Sequence, residues 1–393
     1  MEDDIYKINN LSINHPKTEF CFCYNSGMKT FNIENFDLKY NSNNSVIKLG
    51  DISLSILLTR DNTVIFVGSK HNRDYPKNKI VFYDIANKKE IFSKSFENEI
   101  TNIKYVDKYI FICFTFELKI FSFLNENEYN LKDIDVFPLD KNYSDLFEVW
   151  ESKERNNLMA RIYLSYPYDS ELIISYFTLN DFSFVAKINI ASPVNSIQNL
   201  FYIKKLNQIF ISDENGIYLY GFNIDDGKPK ICLKRGSSPG IITSMTLLNN
   251  NFLAINNLDR TIHIFDLDIN HNAFSFSNLA YRFVNSMEEI YPCIRIYYKD
   301  LKEEEGWELY NNSFSKKGAI LISEDEGNEL NILAYNGFAY KIRIDFKEKK
   351  YEVIKKSQYS KANNILFKDG KKKNISLYKS HNEFSEFNEN EKK

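Results

Sequence analysis

Seven times along this chain a short run of apolar and β-branched residues closes on an aromatic: MKTFN (28–32), IVFYD (80–84), LKIFSF (118–123), IISYF (173–177), YLYGF (218–222), IHIFD (262–266) and YKIRIDF (340–346). Turns rich in Asn, Asp, Lys and Ser separate these runs. Few segments longer than ten residues show a period near 3.6, so helix is scarce and the chain reads as strands joined by tight turns. Phe82 precedes Phe121 by 39 residues, and Phe222 precedes Phe265 by 43. Those intervals fit a four-stranded repeat of roughly 40–45 residues. Seven endings imply seven repeats, and sheets arranged radially about an axis leave only short protected edges. The expected fold is therefore all-β, a seven-bladed β-propeller of four-stranded antiparallel blades.

The domain reading follows. Residues 1–348 form the propeller, and 349–393, which turn polar and rich in Lys, Asn and Glu, form a tail expected to be disordered. A long loop about 268–306 interrupts blade six, with the next strand beginning at Trp307. Loops of that length inside a compact repeat are functional or disordered. Its first half carries Phe274, Phe276, Tyr281 and Phe283 among small and polar residues, suited to a short amphipathic helix or an aromatic-tipped hairpin, or else to folding back on the propeller flank. The loop carries Asp268, Glu288, Glu289, Asp300 and Glu303 to Glu305 against Arg282, Arg295, Lys299 and Lys302, an acidic excess.

Composition excludes several classes. A net charge of −3 gives no electrostatic case for a nucleic-acid partner. Five scattered cysteines make neither a disulfide framework nor a CxxC pair, and Cys21 and Cys23 read as buried thiols on one strand face. The start, MEDDIYKINN, lacks an apolar core of the secretory kind, and no run approaches the ~18 apolar residues of a membrane span. A soluble intracellular protein is expected. The histidines, at 15, 71, 263, 271 and 381, are too dispersed for a metal cluster, and neither a Gly-x-Ser-x-Gly elbow nor a phosphate-cradling Gly-rich loop occurs. No enzyme, cofactor or metal is expected.

One stretch points to chemistry. In LKRGSS, Lys234 and Arg235 stand beside Gly236, offering adjacent N–H donors and close backbone approach to an anion such as a phosphate. The alternative is a solvated, salt-bridged turn. Across the next repeat lie Arg260, Thr261 and His263.

In this order and spacing these residues resemble the PROPPIN (WIPI-type) family of phosphoinositide-binding propellers, across residues 8–346. NSGMKTFNI looks like that family's first-blade turn, FVGS with YPKNKIVFYD like a second-blade segment, LKRG like its Phe-Arg-Arg-Gly element, and RTIHIFDL like its Gly-Thr-Val-His-Ile-Phe. The resemblance implies two pockets for phosphatidylinositol 3-phosphate or 3,5-bisphosphate at the rim of blades five and six, flanked by a membrane-dipping sixth-blade loop. The binding residues it implies here are Lys234, Arg235, Gly236, Ser237, Ser238, Arg260, Thr261 and His263, with Phe274, Phe276, Tyr281 and Phe283 entering the membrane. It further implies a monomer without nucleic-acid partners, recruiting autophagy-type protein partners from the cytoplasm to autophagosomal, endosomal or vacuolar membranes.

The sequence departs from that pattern on the blade-five side. Ile217 and Tyr220 stand where the family has Thr and Arg, and Ile190 where it has His, so the first pocket reads as impoverished. On the blade-six side Asn256 and Asn257 replace hydroxyl residues, and Arg260 replaces a Gly. The second pocket is the expected site. The competing reading is a protein scaffold that has lost lipid binding and grips a partner through the rim around His71 to Lys79.

Overall fold

A computed structural model describes residues 8–14, 17–44, 48–58, 62–124, 130–139, 145–152, 160–168, 171–191, 197–212, 215–258, 261–268, 289–301, 318–323, 327–335, 337–358 and 365–367. Over these residues the chain builds seven antiparallel sheets, spanning 8–41, 52–95, 102–138, 148–191, 199–234, 242–297 and 319–358. First strands of neighbouring blades lie against one another, which places them innermost. No helix among the described residues is long and apolar enough to cross a membrane.

All seven aromatic-ended runs fall on the third strand of a blade: Gly27–Asn32, Lys79–Asp84, Glu117–Leu124, Glu171–Thr178, Tyr218–Asn223, Thr261–Asp266 and Phe338–Asp345. Side chains alternate across a strand, so a strand between two blades must be apolar on both faces. In Lys79–Asp84, Val81 and Tyr83 pack toward blade one while Ile80 and Phe82 pack toward blade three. The aromatic has a further correlate. In six blades the pairing of third and outer strands slips by one residue, at Phe31, Tyr83, Phe121, Phe177, Phe222 and Ile342. Such bulges bend the strand and raise its twist. In blade six the outer strand, Ile294–Tyr297, pairs with Thr261–Ile264 without a slip.

Seven apolar clusters fill the seven interfaces between adjacent blades. Ring closure uses no strand exchange. Blade one takes all four strands from the N-terminal end, and blade seven takes its strands from the C-terminal end. They meet through Phe20, Phe22 and Phe31 against Ile322, Leu333 and Ala339. The Leu11 N–H donates to Tyr335 Oη at 3.2 Å, and Lys17 Nζ donates to the Ser323 carbonyl at 3.2 Å.

Two expected boundaries are corrected. Lys350–Gln358 is the outer strand of blade seven, and Ile365–Phe367 adds a fifth strand to it, so the propeller runs past residue 348 and those segments are not a disordered tail. An outer strand buries little, and KYEVIKKSQ accordingly has a surface-like composition. The loop expected over 268–306 is also shorter, because Ile294–Tyr297 is the outer strand of blade six and Glu289–Ile290 pairs with blade five. Trp307, Phe274, Phe276, Tyr281, Phe283 and residues 368–393 lie outside the described residues.

Candidate functional site

The outer strand of blade five, Pro229–Lys234, pairs antiparallel with Tyr218–Asn223, which sets Lys234 opposite Tyr218. The chain then turns through 235–241 into the first strand of blade six, Ile242–Leu248. Arg235 pins that turn. Its backbone N–H donates to the Ile217 carbonyl at 2.9 Å, its Nε to the Gly216 carbonyl at 2.9 Å, and its Nη2 to the Ser238 carbonyl. Gly216 adopts φ +59°, and a Cβ there would sit 2.0 Å from the Gly240 carbonyl. A Cβ on Gly240 would in turn meet the guanidinium at 2.7 Å. With 2% of its surface exposed, Arg235 acts as a structural pin, its Nε and Nη2 bonded to main-chain carbonyls, where the sequence led to the expectation of a phosphate partner.

Lys234 is engaged as well. After the long loop the chain returns as Glu289–Ile290 and adds a short parallel strand to the edge of blade five, with Glu289 opposite Cys232 and Ile290 opposite Leu233. Lys234 Nζ lies 2.8 Å from Glu289 Oε2. Tyr291 donates its hydroxyl to the same oxygen at 2.7 Å. The ammonium stands over the rings of Tyr218 and Tyr291, 5.3 and 5.6 Å from their centroids. Hydrogen bonds from Lys234 and Tyr291 hold the Glu289 carboxyl below the usual range, and Glu289 holds the lysine above its own. In this arrangement Lys234 joins Glu289–Ile290 to the edge of blade five, and its charge, expected to meet a phosphate, is paired with Glu289.

Gly236, Ser237 and Ser238 differ. The serines are exposed, and a Cβ on Gly236 would meet nothing within 4 Å, so the tip of the turn is open. The Leu258 N–H donates to the Ile241 carbonyl at 2.8 Å. That bond holds the turn beside the end of blade six from which Thr261–Asp266 starts. Arg260 lies outside the described residues.

On blade six, Thr261 Oγ1 and His263 Nε2 are 3.0 Å apart. Ile262 and Ile264 pack toward blade seven with Ile294 and Ile296. Thr261 and His263 therefore occupy the opposite face, where Ile255 and Phe265 meet blade five. Register places His263 opposite Arg295 and Thr261 opposite Tyr297 on that same face. Arg295 is exposed. The two asparagines divide. Asn256 is fully buried, donating to Thr243 Oγ1 at 2.6 Å and accepting from Tyr298 Oη at 2.6 Å, which leaves it a packing role. Asn257 Nδ2 lies 3.3 Å from the Thr261 carbonyl and 3.4 Å from Thr261 Oγ1. On the blade-five side, Ile190 and Tyr220 lie in the apolar cluster between blades four and five.

Sequence reasoning missed Glu289 as the counter-ion of Lys234 and missed Arg295 as a residue of blade six's outer strand. The signal for the second was the alternation Ile294-Arg295-Ile296-Tyr297, a strand pattern inside the supposed loop.

The fold and rim together define a seven-bladed propeller with a long insertion between the third and outer strands of blade six. No family model matches the sequence, and no curated protein matches it. Among solved structures it is similar to KlAtg21 in complex with the coiled coil of AgAtg16, at 16% identity and a TM-score of 0.64, covering 91% of this chain and 100% of that one. It is also similar to Kluyveromyces lactis Hsv2 with its complete loop 6CD (14% identity, TM-score 0.63, 90% and 99% covered). Kluyveromyces marxianus Hsv2 follows at 12% identity and a TM-score of 0.61, with 88% and 96% covered. These are PROPPIN-type propellers, and the likeness is one of fold.

Proposed function

We propose that this protein is a phosphoinositide effector whose rim between blades five and six takes a 3-phosphorylated inositol head group, from phosphatidylinositol 3-phosphate or the 3,5-bisphosphate. It then recruits autophagy or endosomal machinery to autophagosomal, endosomal or vacuolar membranes, as a monomer and without catalysis. The observation that carries this reading is the hydrogen-bonded pair of Thr261 and His263, the latter 6% exposed, on the blade-six face that looks toward blade five, with the open Gly236–Ser238 turn joining the same two blades. Hydroxyl, imidazole and backbone N–H groups are the donors an inositol phosphate needs. The fold likeness to Hsv2 and Atg21 supports the same reading, and the sequence of the long loop adds Phe274, Phe276, Tyr281 and Phe283 as the residues proposed to enter the membrane. A coiled coil like the one bound by Atg21 is the kind of protein partner the reading implies.

The electrostatic contribution is smaller than the sequence implied. Each Lys or Arg near an anionic surface contributes about 1 kcal/mol, and Lys234 and Arg235 are both engaged internally. Specificity then comes from short-range contacts. Flotation with vesicles of matched charge tests it: retention on 3-phosphorylated lipid but not on phosphatidylinositol supports the reading, and equal retention contradicts it.

The internal engagement of both cations favours a second reading, a scaffold that binds protein alone. The rim proposed for it is partly structural. Asn72 Nδ2 donates to the Leu49 and Asp51 carbonyls at 2.7 and 3.0 Å, and Tyr75 is buried. His71, Arg73 and Asp74 remain exposed there. The same flotation separates the two, since a pure scaffold ignores the head group.

A further inference from the structure

We infer that Arg295 is the phosphate-engaging cation of the blade-six cleft, taking the part the sequence assigned to Lys234 and Arg235; this rests on the function proposed above. Three observations lead there. Arg295 directly opposes His263 across the third and outer strands, and such partners carry their Cβ atoms ~5 Å apart on one face. That face also carries the Thr261–His263 pair and looks toward blade five. Arg295 is exposed and makes no ion pair among the described residues, whereas Lys234 is held by Glu289 and Arg235 by carbonyls.

The chemistry agrees with the placement. A guanidinium offers a planar fork of donors that matches two oxygens of one phosphate, which a lysine cannot do. A rigid strand holds it more firmly than a loop does. Its ladder partner Thr261–Ile264 packs Ile262 and Ile264 against blade seven, which fixes the strand, and register sets Arg295 next to the imidazole and hydroxyl that would complete a phosphate's coordination. The ligand class is a phosphomonoester dianion on a polyol ring, either on a lipid or as the soluble head group.

The test uses the full chain with Arg295→Gln, Arg295→Lys and Lys234→Gln. Two probes are needed: soluble inositol 1,3-bisphosphate by calorimetry, and phosphatidylcholine vesicles carrying phosphatidylinositol 3-phosphate or phosphatidylinositol. Losing a charge-assisted contact costs about tenfold or more in affinity. Arg295→Gln is expected to show that loss with both probes, Arg295→Lys to recover part of it, and Lys234→Gln to change little. Exposure of Arg295 means the thermal midpoint should not move, which separates binding from folding. If wild type prefers the 3-phosphorylated probes and Arg295→Gln binds as wild type does, Arg295 is not the cation and the site reading stands. A loss on vesicles alone also overturns the inference, because Arg295 then touches the membrane and not the phosphate. If wild type ignores the phosphate, both fall.

Discussion

Lys234 Nζ and Glu289 Oε2 lie 2.8 Å apart although 55 positions separate them in the chain. One residue ends blade five and the other ends the long sixth-blade loop. Their pairing fixes where the loop returns, and it removes the most obvious cation of the rim from the reach of an outside anion.

Replacing Glu289 by Gln should release Lys234. Binding to phosphatidylserine vesicles is then expected to rise at low ionic strength and to revert toward wild type as salt screens it. The pair also has a pH window. The depressed Glu289 carboxyl contributes stability above its unfolded value of about 4.3 and loses it as pH falls through the lower folded value. The raised Lys234 contributes below about 10.4 and loses it only as pH rises through its higher folded value. The melting-temperature difference between wild type and Glu289→Gln should therefore be flat from about pH 5 to pH 10 and shrink below about pH 4. A difference that grows in acid contradicts the pairing.

Arg235→Ala should destabilise the protein before it affects any ligand. It removes the guanidinium's bonds to the Gly216 and Ser238 carbonyls, and a hydrogen bond from a charged group contributes about 1.5–3 kcal/mol. Urea unfolding is expected to show a loss of that order. A variant as stable as wild type would return Arg235 to the list of candidate ligands.

Chains ending at 348 and at 358 should behave differently. The shorter one lacks the outer strand of blade seven and with it buried Tyr351, uncovering the Phe338–Asp345 edge. Cooperative unfolding by circular dichroism is expected for the 358 ending and not for the 348 ending. Equal cooperativity would show the outer strand to be dispensable.

Lys29 offers a second pH test, away from the rim. It is fully buried on the third strand of blade one, its Nζ 5.8 and 5.9 Å from the ring centroids of Phe22 and Tyr24, and desolvation lowers its pKa to about 8. The folded state therefore binds fewer protons than the unfolded chain between about pH 8 and its unfolded value near 10.4. The cost is full below pH 8 and relieved as pH rises. Relative to Lys29→Met, wild type should gain stability from pH 8 to pH 10, measured by urea midpoints. A flat difference would mean the lysine keeps its ordinary affinity for protons.

The propeller was legible because its third strands are buried on both faces, so each must be a continuous apolar run, and an aromatic marks where most of them bulge. Outer strands carry no such signal. Lys350–Gln358 reads like tail and Ile294–Tyr297 like loop because one side of each meets water. The rim turn was legible in the sequence, and its internal partners were not. LKRG marks the turn correctly, yet the partner of Lys234 arrives from a distant strand, and the partners of Arg235 are main-chain carbonyls that no side-chain pattern announces. Arg295 was hidden for the reason its strand was.

The central claim is that an inositol phosphate sits against His263. With only five histidines in the chain, the imidazole protons can be followed by NMR, and His263→Gln assigns the signal. Titrating inositol 1,3-bisphosphate should shift the His263 resonance saturably, while inositol 1-phosphate, the head group without the 3-phosphate, leaves it in place. A His263 signal that stays put with both, or moves equally with both, would contradict the account.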